Sequence, residues 1–188
     1  DYLWTKLRGD NIWDLTAPMG FIYRKDWAEK LGMAKDEYTV DEFMELAKAF
    51  ALQDSAGNGA GKTAGYADVG WAFPYLLNYY NPYASGFVKK DGKYVWGATF
   101  PETLEGIKAL RKLYKEGGLW KDFYTAQDYD GKGLYMANRL GIWSDNLGNE
   151  LEKYRTEFIT ANPDSDPFAA VSIMKVKGKD GNYYTQEW

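Results

Sequence analysis

Cysteine and histidine are both missing from these 188 residues. Without them the chain has no disulfide, no thiol nucleophile, no histidine-based triad and none of the usual zinc ligands. Any catalysis would rest on carboxylates, lysine, serine or tyrosine. A surplus of positive charge is missing too: 23 Lys and Arg stand against 27 Asp and Glu, a net charge of -4, so no basic field attracts a phosphate backbone. Nucleic acid is therefore not an expected partner. No apolar run approaches the roughly 18 residues of a membrane-spanning helix, and no Met start or signal peptide precedes Asp1, as expected of a processed or excised chain. The lack of Cys fits a reduced cytosolic protein and a disulfide-free exported one equally.

Aromatic residues, by contrast, are abundant: 18% of the chain, with 16 Tyr and 8 Trp. Rings with an apolar face and a polar tip suit amphipathic ligands such as sugars and peptides, and they also build large cores. The length fits one domain or one large lobe.

Asp10 to Leu15 reads as a turn and a short extended piece, and Pro18 stops any helix there. Phe21-Ile22-Tyr23, an apolar run between Gly20 and the charges of Arg24, Lys25 and Asp26, reads as a buried strand. A short helix follows to Leu31, closed by Gly32. Thr39-Val-Asp-Glu42 is a capping box, and Val40, Phe43, Met44, Ala47, Phe50 and Ala51 form one helical face behind it. A second helix is expected over Pro101 to Glu116, with Leu104, Ile107, Leu110 and Tyr114 inward, Gly117-Gly118 at its end, and Lys108, Arg111, Lys112 and Lys115 as a solvated face. Between the two lie the ring-dense stretch Trp71 to Tyr83 and a hairpin turning at Asp91-Gly92. A short helix near Gly133 to Ala137 and a strand from Leu140 to Trp143 follow. The spacing of Leu147, Leu151, Tyr154 and Phe158 predicts a third long helix, and Phe168 to Val176 reads as a strand before a turn at Asp180-Gly181. Alternating strands and helices make this an α/β fold.

Taken in order, FIYRKDWAEKLG, TVDEFMELAKAF, PETLEGIKALRKLYKEGGL and FYTAQDYDGKGLYMANRLGIW resemble consecutive stretches of the extracellular solute-binding proteins of ABC importers, over most of residues 20 to 145. The resemblance implies a two-lobe periplasmic-binding-protein-like fold, each lobe a mixed sheet flanked by helices, with ligand held between the lobes. It assigns residues 20 to 188 to the second lobe and 1 to 19 to the connection from the first. It further implies a monomer that delivers its ligand to a membrane permease, and an extracellular address as an anchored lipoprotein or a periplasmic protein, the anchor lying outside this chain. In many relatives the loop at Asp54 to Thr63 resembles a calcium loop. Here Asp54 and Asn58 remain, but Ala56, Lys62 and Gly65 stand where oxygen ligands would be, so a glycine-rich structural turn is expected and no metal or other cofactor. Its Gly-x-Gly-x-Gly-Lys-Thr also lacks the spacing of a P-loop.

Ligand capture is expected at strand carboxyl ends and neighbouring helix starts, where free amides face the crevice. Two places qualify. One is Trp143-Ser144-Asp145-Asn146, with Trp143 as a stacking ring and the next three as hydrogen-bonding groups, Asp145 or Asn146 being equally suited to cap the following helix. The other is the ring cluster of Trp71, Tyr75 and Tyr79. Sugars pack C–H faces on rings while their hydroxyls need paired donors and acceptors, so an oligosaccharide is the expected ligand and a peptide the alternative. A polysaccharide-acting enzyme is the competing class, using carboxylates such as Glu102, Glu105, Asp128, Asp130 or Asp145, although nothing in the sequence pairs them.

Overall fold

The computed structural model describes residues 19–68, 75–147 and 150–183. The turn expected at Asp10 to Leu15 therefore lies outside the described residues. The centre of the lobe is a four-stranded mixed sheet built from β1 (Met19–Tyr23), β3 (Ala64–Asp68), β6 (Leu140–Asn146) and β7 (Ser172–Met174), in the order β3-β6-β1-β7. All five residues of β1 are buried, as a central strand requires. β3 runs parallel to β6, whereas β1 is antiparallel to both β6 and β7. Register brings Asp68 beside Ser144 and Met19 beside Asn146. The carboxyl ends of β3 and β6 and the start of β1 thus share one end of the sheet.

Helix α1 (Lys25–Lys30) leaves β1 through Arg24 and is closed by Gly32 at φ 68°, a conformation that costs glycine little. The buried Arg24 guanidinium lies 4.1 Å from the Trp27 ring centroid and pairs with Asp26. After the two-residue strand β2 (Tyr38–Thr39), helix α2 (Val40–Leu52) starts on the expected capping box, with Thr39 accepting from Glu42 N–H and Glu42 accepting from Thr39 N–H. Its inner face sets Phe43 against Phe21 at 4.7 Å and against Tyr66 at 5.0 Å between ring centroids.

The loop from Asp54 to Thr63 is held by side-chain hydrogen bonds of Asp54 and Asn58. Both Asp54 carboxylate oxygens accept from Gly59 N–H, at 3.0 and 3.2 Å, and the Asn58 side chain donates to the Asn138 carbonyl at 2.7 Å. Gly57, Gly59 and Gly61 all have positive φ. With one carboxylate, already engaged, and no oxygen donor on the side chains of Ala56, Lys62 or Gly65, this donor set does not fit a hard dication.

The hairpin of β4 (Phe87–Lys90) and β5 (Lys93–Trp96) turns at Asp91-Gly92, both at positive φ. Helix α3 (Pro101–Lys115) follows the expected bounds but shows the core a different face. Thr103, Gly106, Leu110 and Leu113 are buried, while Leu104, Ile107 and Tyr114 are exposed. Gly106 sets this rotation: a Cβ there would meet Leu77 at 2.8 Å and Tyr80 at 3.0 Å, so the helix seats closest where it has no side chain. Thr103 is buried without penalty because it donates to the Gly97 carbonyl and accepts from Asn81. Ile107 and Tyr114 of the displaced stripe line an open groove of about 420 Å³ with Leu77, Leu119 and Phe123. Lys108, Arg111, Lys112 and Lys115 are exposed, as expected of a solvated face.

Helices α4 (Asp130–Met136) and α5 (Leu151–Ala161) flank β6. The strand expected over Phe168 to Val176 divides instead into a one-turn helix, α6 (Pro167–Ala170), then β7 and β8 (Val176–Lys177). Asp166 explains the break: its side chain accepts from Phe168 N–H and Pro167 follows at the first helical position, a start signal that outweighs the β-branched composition. β8 pairs with β2.

Candidate ligand-binding site

At the shared end of the sheet, β3 finishes on Asp68, whose carboxylate is buried. It accepts from the Tyr66 hydroxyl at 2.5 Å, from the Ser144 hydroxyl, and from Tyr75 N–H at 3.3 Å. Three segments therefore meet on one carboxylate: β3, β6 and the 3-10 turn over Tyr75–Tyr79. No ion pair to Asp68 is present among the described residues, and burial raises its carboxyl to about 7 against the opposing pull of those hydrogen bonds. The Tyr66 phenol is pushed well above its usual value by burial and then by the neighbouring Asp68 charge.

Asp145, one residue past Ser144 and so pointing to the opposite face of the sheet, is also buried and accepts from the Tyr154 hydroxyl on α5. It does not cap that helix, which begins at Leu151 without a side-chain cap bond. At this end, adjacent strands thus carry two buried carboxylates, one per face, each bonded to a tyrosine hydroxyl. Sequence reasoning missed Asp68 and Tyr66, because an Asp closing a small-residue strand gives no signal until β6 is laid beside it. The one available cue was its place immediately before the ring cluster at Trp71.

The anticipated site residues divide by depth. Trp143 has 0% exposure, packing against Tyr154 at 5.1 Å and Tyr135 at 6.5 Å between ring centroids, and its indole N–H has no partner among the described residues. A ring without exposed area offers no stacking face, so Trp143 is part of the core beneath this end of the sheet. Tyr75 and Tyr79 are buried against Phe21, at 5.1 and 5.2 Å, and the Tyr75 hydroxyl donates to the Met19 carbonyl at 2.6 Å. Burial pushes the Tyr79 phenol up to about 12. Ser144 and Asp145 are buried in the networks above, and Asn146 closes β6 opposite Met19. Trp71 lies outside the described residues. Of the carboxylates of the enzyme alternative, Glu102, Glu105, Asp128 and Asp130 are exposed, and Asp145 is buried and accepts from Tyr154.

Residues 2–186 match the model of the bacterial extracellular solute-binding protein family. The chain belongs to that family. Among curated relatives, the solute-binding chain is 27% identical over 167 residues to the polygalacturonan/rhamnogalacturonan-binding protein YtcQ of Bacillus subtilis (strain 168), covering 86% of this chain and 32% of YtcQ. It is 32% identical over 130 residues to the lipoprotein LipO of the same organism, covering 66% of this chain and 26% of LipO. Among solved structures, the alginate-binding protein AlgQ2 superposes with a TM-score of 0.70 at 17% identity, covering 91% of this chain and 35% of that one. That likeness establishes the fold: an α/β lobe with a mixed sheet and flanking helices. The solute-binding chain spans about a quarter to a third of the length of these relatives.

Proposed function

We infer that this chain is the second lobe of the ligand-binding component of an ABC importer, and that it captures a carbohydrate, specifically an oligosaccharide, for uptake. Residues 20 to 188 form that lobe and 1 to 19 the connection to it. The observation that carries the reading is the sheet end where β3, β6 and the start of β1 converge on buried, hydrogen-bonded Asp68, Ser144 and Asp145 within a family of solute-binding proteins. Ligands of open α/β sheets sit outside strand carboxyl ends. The names of YtcQ and AlgQ2, each binding a polysaccharide, support a carbohydrate ligand.

In this reading Trp71 and Asn146 touch the sugar, while Tyr75, Tyr79, Trp143, Ser144 and Asp145 hold the floor beneath. The protein acts as a monomer, binds without turnover, and hands its ligand to the permease. Its address is extracellular, as a lipoprotein like LipO or as a periplasmic protein. Calorimetric titration of the full-length protein with oligogalacturonates, oligoalginates, maltotriose and short peptides tests this. One saturable carbohydrate site with ligand recovered intact is expected. Binding of peptides alone, or cleavage of the sugar in proportion to protein, contradicts it.

A further inference from the structure

Asp68 and Tyr75 are the two residues that flank the connection 69–74, and one carboxylate joins them. Its Oδ2 accepts from Tyr75 N–H, while Oδ1 accepts from the Tyr66 and Ser144 hydroxyls. Both ends of a six-residue connection are therefore fixed to one group and, through Ser144, to the crevice end of β6. Tyr66, Tyr75 and Tyr79, which pack with Phe21, lie beside Asp68, and an apolar side chain in its place would leave the Tyr66 and Ser144 hydroxyls and Tyr75 N–H without this acceptor. What a carboxylate supplies, and an apolar group cannot, is acceptance from three donors at once, each on a different segment or side of the strand end.

We propose that Asp68 is a positioning residue for the ligand site, a clasp whose carboxylate fixes both flanks of the 69–74 connection against β6 so that side chains of this strand end meet the ligand in one arrangement. This rests on the ligand-binding reading of the same sheet end. The titratable groups facing Asp68 are Tyr66 from its own strand and Tyr75 and Tyr79 from the 3-10 turn, with the Ser144 hydroxyl from β6; no cation pairs with it among the described residues. The ionised form accepts all three hydrogen bonds. A protonated form keeps acceptor lone pairs but holds these donors less strongly, so the clasp is tightest when Asp68 is charged, while the cost of burying that charge is what raises its carboxyl.

The test compares the full-length protein with Asp68→Asn and, as single-donor deletions, Tyr66→Phe and Ser144→Ala. Hydrogen exchange is measured without ligand, and affinity is measured for oligogalacturonates, oligoalginates and maltotriose across pH 6 to 8. In Asp68→Asn, exchange in the segment reaching Tyr75 should quicken by about tenfold or more while the α2 and α5 amides stay protected, with smaller changes in the two deletions. Wild-type affinity for whichever sugar binds should rise with pH, and that rise should be absent in Asp68→Asn. Unchanged exchange near Tyr75 overturns the clasp whether or not any sugar binds. Faster exchange with the same affinity and the same pH profile overturns its role in the ligand site. If the wild type binds none of the sugars, the functional reading fails and the exchange result still decides the clasp.

Discussion

Trp143 packs between Tyr135 and Tyr154 with no exposed surface, so replacing it with alanine removes core volume before it removes anything a ligand meets. Trp143→Ala should cost about 3–5 kcal/mol in chemical denaturation; a cost below about 1 kcal/mol would show the ring to be dispensable to the core. Asp68 gives a sign-specific prediction. Its folded-state value, about 7, lies above its ordinary 3.8, so the folded form holds the proton more tightly than the unfolded one. Its contribution to stability is therefore fully present below about pH 4 and is lost as pH rises through 7. The stability difference between wild type and Asp68→Asn should fall by roughly 2–4 kcal/mol from pH 4 to pH 8, read from denaturation midpoints at each pH. A flat difference would mean that the buried carboxyl titrates normally. In a chain without histidine, such a shifted carboxyl supplies titration near neutrality. Alternation and spacing suggest that Trp143 and Asp145 sit near a strand end, but depth depends on which helices cover β6, and that is not local information.

Helices were legible where a terminal signal and a periodic face agreed. Thr39 and Glu42 announce α2, and Gly32 and Gly117 mark helix ends with positive φ. The face of α3 was not legible, because two competing stripes share the helix and Gly106 decides between them only when Leu77 and Tyr80 are in place. This contrast is testable by paired substitutions. Leu113→Ala should cost about 2–4 kcal/mol, whereas Leu104→Ala or Ile107→Ala in this lobe should cost less than about 1 kcal/mol. Equal costs would place the outer stripe in a core as well. At the start of α2, Thr39→Ala should cost about 1 kcal/mol, since it removes an acceptor for Glu42 N–H. α6 shows the opposite failure: composition favoured a strand over Phe168 to Val176, and one capping aspartate with a following proline outweighed it.

At the scale of the whole molecule, family motifs were more informative than composition. The motifs point to a solute-binding lobe, and the family match over residues 2–186 agrees. Aromatic content by itself does not tell core from surface, since the described rings at this end of the sheet chiefly form two buried clusters, around Phe21 and around Trp143. The central claim is that ligand meets the end of the sheet where β3, β6 and the start of β1 converge. Hydrogen exchange of the full-length protein with and without a saturating oligosaccharide tests it most directly. The account predicts new protection in the segments that follow Asp68 and Trp143, with none in the β4–β5 hairpin or the α3 groove. Protection confined to that hairpin or groove, with the ends of β3 and β6 unchanged, would contradict it.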